Sequence, residues 1–113
     1  MRKILLIAFW LMSPSVFSAT EDSASSTIEL LHSYPNRNGG EVMFKLGSVA
    51  SEVTCKGYWL KTDSTSSAAT FSMILAAYQA KTKIKVWGHI EEVNKWSGTT
   101  AHFCKVYTVA YGY

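Results

Sequence analysis

Apolar and polar positions alternate along several short stretches of the chain and change to a helical period in one. Residues 41–46 alternate strictly, with Val42, Phe44 and Leu46 on one face and Glu41, Met43 and Lys45 on the other; this is the pattern of a half-buried strand. Residues 83–88 repeat it, with Ile84 and Val86 opposite Lys83, Lys85 and Trp87. Residues 27–34, carrying Ile28, Leu30 and Leu31, predict a strand, and so do residues 53–62 through Cys55, Tyr58, Trp59 and Leu60. Residues 101–111 predict a long closing strand of mixed polarity. Pro35 and the Gly39-Gly40 pair make 35–40 a turn, because proline fixes one dihedral and glycine permits positive φ. Residues 94–100, with Lys95, Trp96, Ser97 and Gly98, predict a loop.

The helical period falls at 68–81. Phe71, Ile74, Leu75 and Tyr78 stand at i, i+3, i+4 and i+7 and predict a stripe facing the core. Polar residues at 63–67 supply N-cap candidates. No charged residue occurs over 68–80, and Ala69, Met73, Ala76, Ala77 and Ala80 form a second apolar face. Two readings of that face stand side by side: subunit packing, or the high helix propensity of alanine on a solvated surface. The element order is β-β-β-α-β-β. It predicts an OB-fold-like, five-stranded Greek-key barrel over 27–113, with an open α+β sheet of the same order as the alternative.

The first 18 residues differ from the rest. Arg2 and Lys3 precede an unbroken apolar run over 4–12, Pro14 interrupts it, and Val16-Phe17-Ser18 suits signal-peptidase cleavage before Ala19. The run is too short to span a hydrocarbon core of about 30 Å. The expectation is a signal peptide over 1–18, a polar and flexible lead-in over 19–26, and an exported product, periplasmic or secreted, with no membrane span. In an oxidising compartment Cys55 and Cys104 are expected to form one disulfide. Their spacing is neither CxxC nor, with His32, His89 and His102, a zinc pattern.

Charge then narrows the function classes. The chain carries 11 basic and 8 acidic residues, a formal net charge of +3. Setting aside Arg2 and Lys3 leaves a nearly neutral domain with Arg37 as its one arginine, which argues against a nucleic-acid partner. Catalytic chemistry is sparse. Asp22 and Asp63 are the only aspartates, no Gly-x-Ser-x-Gly elbow occurs, and neighbours Glu91 and Glu92 point to opposite faces of an extended segment. No enzyme activity, cofactor or metal is expected. Aromatic residues are in surplus instead. Trp or Tyr beside polar groups suits the apolar face of a sugar or a protein interface.

The helix segment Thr70-Phe71-Ser72-Met73 through Ala76-Ala77-Tyr78, followed by Lys83-Ile84-Lys85-Val86-Trp87 and then Trp96, resembles B subunits of AB5-type toxins. The subtilase-cytotoxin and pertussis-like B subunits are the nearest likeness. The resemblance runs over about 55–96. It implies an OB-fold, a homopentameric ring with its helices around a central pore, a toxin A subunit as partner, and binding to cell-surface glycan. Such B subunits usually carry more cysteines than the two found here. The glycan-binding candidates are Trp59, Lys85, Trp87 and Trp96, with Trp59 and Trp87 stacking on sugar and Lys85 donating to a hydroxyl or a sialic carboxylate. The rival expectation is a monomeric periplasmic envelope or stress module that binds a protein or small ligand. A third is an exported enzyme inhibitor using 35–40 as its reactive loop.

Overall fold

A computed structural model describes residues 19–112. The expected signal peptide, 1–18, lies outside the described residues. The described residues are mainly β with one α-helix. The strands are β1 (Thr20–Asp22), β2 (Ile28–Tyr34), β3 (Glu41–Leu46), β4 (Gly57–Lys61), β5 (Ile84–His89) and β6 (Phe103–Tyr111), and helix α1 (Thr65–Ala80) lies between β4 and β5. They form one six-stranded mixed sheet in the order β1-β5-β6-β4-β3-β2. Every neighbouring pair is antiparallel except β4 and β6, which run parallel.

The alternation read from the sequence decides the inner face. Val42, Phe44 and Leu46 of β3 and Ile84 and Val86 of β5 are buried together, with Tyr58 and Leu60 from β4. Cys55 and Cys104 form the expected disulfide inside this core.

The sixth strand comes from the segment expected to be a lead-in. β1 pairs with β5 from Thr20↔His89 to Asp22↔Trp87. Beyond β1 the same segment stays attached to β5: Ser23 N–H donates to Val86 O at 2.8 Å, and Ser26 and Ile84 exchange two backbone bonds of 3.0 and 2.9 Å. One residue later the chain changes partner, for Gly47 N–H donates to Thr27 O at 2.9 Å. A single stretch, 20–34, therefore lies along β5 with its first half and along β3 with its second. The bonds are main-chain bonds, and these need no apolar alternation.

The helix begins three residues before its expected start. Ser64, in an extended conformation, accepts from Ser67 N–H at 3.2 Å and caps it. Lys81, at φ 53°, ends it in the left-handed conformation. Its packing differs from the expected stripe. Ile74 and Ala77 are buried and Phe71 is partly so, whereas Leu75 is 41 % and Tyr78 38 % exposed. Ala77, expected on the second apolar face, belongs to the core. The helix touches the sheet along a narrow line, where the short Ala77 side chain permits close approach, and the flanks of the stripe stay in solvent. Ala69, Met73, Ala76 and Ala80 are exposed, as a second face requires.

Candidate binding site

The outer face of the sheet has its own apolar cluster. Met43, Trp96 and Phe103 are buried there, with Leu30 and Trp59 packed against them. The loop between β5 and β6, which includes a turn of 3-10 helix (Glu92–Asn94), covers this face. Trp96 is its anchor. The indole is 5 % exposed, lies 6.0 Å from the Phe103 ring and 5.6 Å from Tyr34, and has the Arg37 guanidinium 5.4 Å above it. A Cβ on Gly98 would come within 2.3 Å of the Trp96 ring, so the loop can close over the indole only with glycine there.

Glu41 organises the polar side of this anchor. The alternation puts it on the solvent face, yet it is 3 % exposed, because the loop covers that face. Its Oε1 accepts from Trp96 Nε1 at 2.8 Å and pairs with Arg37 Nε at 2.9 Å. Its Oε2 accepts from Asn38 Nδ2 at 3.2 Å. Arg37 also donates to Ser97 Oγ at 2.6 Å. A buried carboxylate is tolerated when its oxygens are paired and hydrogen-bonded, and here the partners come from the β2–β3 turn and the covering loop.

The four sequence-derived glycan candidates fall into two groups. Trp59 and Trp96 belong to the covered cluster. Trp59 is half-buried, donates Nε1 to Asn94 O at 2.9 Å, and has Lys105 Nζ 5.7 Å over its ring. Lys85 and Trp87 sit on β5, and β6 separates β5 from β4 in the sheet. Lys85 Nζ lies 5.4 Å over the Trp87 ring and 2.9 Å from Asp22 Oδ2. That hydrogen bond and charge from Lys85 hold the Asp22 carboxyl below its usual range.

A concave site lies between the two groups. The parallel β4–β6 ladder is three pairs long, from Gly57↔Phe103 to Trp59↔Lys105. Past it the strands part, and a crevice of about 340 Å³ opens between Leu60-Lys61 and Lys105-Val106-Tyr107, with Ser64, Ser66, Ser67 and Thr70 along its helical side. Lys61, Lys105 and the Ser66 and Ser67 hydroxyls supply donors, whereas Ser64 Oγ donates to Ser67 Oγ at 2.8 Å and Thr70 Oγ1 to Ser66 O at 3.3 Å; Lys61 is 3.6 Å from Asp63. Tyr107, at the rim, is 61 % exposed and meets His89 edge-on with the rings 5.3 Å apart. Lys105 and Tyr107 were not among the sequence-derived site residues. The signal available for them was the β6 alternation, in which an inward Cys104 sends 103, 105 and 107 outward.

Two features bound the chemistry. Among the described residues, no group of three or more His, Cys, Asp or Glu side chains could hold a metal ion, and both cysteines are in the disulfide. His89 and His102 approach Glu91 and Glu92 at 4.0 and 3.8 Å, beyond hydrogen-bonding distance. Among the described residues no helix is long and apolar enough to cross a membrane. No protein-family model matches the chain, and neither a curated protein nor a solved structure matches it.

Proposed function

We propose that this chain is an exported, non-enzymatic OB-fold module that binds a cell-surface glycan as a homo-oligomer, in the manner of an AB5-type toxin B subunit. Counting β1 and β2 as two halves of one strand supports the fold reading. The sheet then has five strands, the helix falls between the third and fourth, and the third and fifth run parallel. The first strand then pairs with both the second and the fourth, an arrangement that supports the reading of a small Greek-key barrel.

The observation that carries the function is the crevice between β4 and β6. OB-folds commonly bind oligosaccharides on the face of their second and third strands, flanked by two loops. In this chain the corresponding face carries Met43 and Trp59, and Trp96 fills it from the covering loop. The crevice is open, and it pairs an exposed tyrosine ring with cationic and hydroxyl donors, the combination that suits a sugar's apolar face and its hydroxyl rim. Lys105 and Tyr107, which line the crevice, are assigned to sugar contact in place of Trp59, Lys85, Trp87 and Trp96, none of which lines it. The uncharged exposed face of α1, around Met73, Leu75 and Ala76, is the surface assigned to self-association, and a toxin A subunit is the partner of the assembled ring.

The test joins light scattering after size exclusion with a glycan array. A pentamer that gives array signal, lost at least tenfold in Tyr107→Ala or Lys105→Ala, supports the reading. Loss in Trp87→Ala with those two variants unaffected moves the site to the Lys85–Trp87 surface. A monomer with no array signal overturns the reading and leaves the monomeric envelope module in its place.

A further inference from the structure

The turn between β2 and β3 contains an Asn38-Gly39 step, and we propose that it is a site of spontaneous succinimide formation whose products release the loop anchored by Trp96. Asn38 and Gly39 are both exposed. Asn38 is left-handed at φ 47° and Gly39 has φ 83°. A Cβ at Gly39 would meet nothing within 4 Å, so the Cα side of this residue is open. The two backbone bonds of the turn, Arg37 N–H to Tyr34 O and Gly40 N–H to Arg37 O, do not use the Gly39 N–H.

The reaction needs only water. The Gly39 amide nitrogen gives up its proton to solvent and attacks Asn38 Cγ. The new N–Cγ bond forms, the Cγ–Nδ2 bond breaks, and nitrogen leaves as ammonia after taking a proton. Water then opens the ring at either carbonyl, giving aspartate or isoaspartate. The net change is one amide and one water converted to one carboxylic acid and one ammonia.

The consequence lies in what Asn38 holds. Its Nδ2 donates to Glu41 Oε2 at 3.2 Å. After reaction an anionic oxygen stands there instead of a donor, beside a carboxylate that is 3 % exposed and weakly screened. The new carboxylate also competes for Arg37, which now pairs with Glu41 Oε1, the atom that accepts from Trp96. Isoaspartate further adds a methylene to the main chain of the turn joining β2 and β3. Both products weaken the attachment of the β5–β6 loop and open the aromatic face beneath it.

The test incubates the purified protein in mildly alkaline buffer and follows it by peptide mapping, isoaspartyl methyltransferase labelling and tryptophan emission. The expected result is a gain of about one dalton in the peptide holding Asn38, with a red shift of emission in the altered fraction. Trp96→Phe should show a smaller red shift, the remainder coming from Trp59, which bonds the same loop. Asn38→Asp should show the red shift from the outset, and Asn38→Gln should block modification and keep the native emission. An Asn38 that stays intact in the folded protein while it reacts in the unfolded chain overturns the site. Modification, or Asn38→Asp, without a change in emission overturns the release.

Discussion

Trp96 and Glu41, 55 residues apart in sequence, meet through a 2.8 Å hydrogen bond from the indole nitrogen to a buried carboxylate oxygen. This contact ties the β5–β6 loop to the start of β3. Glu41 stands among Arg37, Asn38 and Trp96, so its removal leaves donors without an acceptor. Glu41→Ala is expected to lower stability by about 1–3 kcal/mol, the cost of leaving a buried donor, here Trp96 Nε1, without its acceptor. Glu41→Gln, which retains an oxygen acceptor, should cost less. Urea unfolding followed by tryptophan emission measures both, and equal, near-zero losses would refute the structural role.

The disulfide gives a second prediction. Cys55 and Cys104 are 49 residues apart, and on the chain-entropy model a closed loop of that length contributes about 4 kcal/mol. The double variant Cys55→Ser, Cys104→Ser should lose a comparable amount. Gly88 lies against the bridge, where a Cβ would meet Cys104 Cβ at 2.7 Å and Cys55 Sγ at 3.2 Å. Gly88→Ala should therefore cost roughly 1–3 kcal/mol by overpacking, with the disulfide still formed by thiol assay. Thermal melts of the oxidised proteins separate the two effects.

Much of this architecture is legible in residue pattern. The strict alternation at 41–46 corresponds to β3, and the strands at 28–34, 84–89 and 103–111 fall within two residues of their expected starts. Strand β1 escaped because Thr20–Asp22 join β5 through main-chain pairing, which leaves no mark on hydrophobic period. Glu41 was misread for a different reason. Alternation assigns a face, but it does not say whether another segment will cover that face, and the covering loop has no period of its own. The same loop takes Trp96 out of solvent. Leu75 and Tyr78 fit the helical stripe in spacing, yet a helix resting on Ile74 and Ala77 buries a narrower arc than spacing allows. The crevice arises from two strands parting after a three-pair ladder, a tertiary event that no local pattern encodes.

Tyr58 sets a pH limit on the fold. Burial of the ring, then the negative charge of Glu21, pushes its phenol up to about 12 from an ordinary 10.0, while a hydrogen bond with Ser23 acts in the opposite direction. A folded pKa above the unfolded one means that the folded state holds the proton longer. The contribution is fully present below pH 10.0 and is lost as pH rises toward about 12. Stability should fall by roughly 2 kcal/mol across that window. Absorbance titration at the phenolate band should show one tyrosine ionising with unfolding, and Tyr58→Phe should remove that step from the pH profile.

Ala76 and Ala77 are neighbours in sequence with opposite surroundings: Ala76 is exposed, whereas Ala77 is buried against the sheet. A glutamate at each position therefore separates packing within the chain from packing between chains. Ala77→Glu places an unpaired charge in the core and should destabilise the protein by about 4 kcal/mol or more. Ala76→Glu on a solvated face should change the stability of a single chain by no more than about 0.5 kcal/mol. If the uncharged face of α1 joins subunits, Ala76→Glu buries a like charge from each copy and the assembly should fall to monomers at unchanged monomer stability. Light scattering reads the mass and chemical denaturation reads the stability. A variant that keeps the wild-type oligomer mass would place the subunit contact elsewhere and return the helix alanines to helix propensity alone.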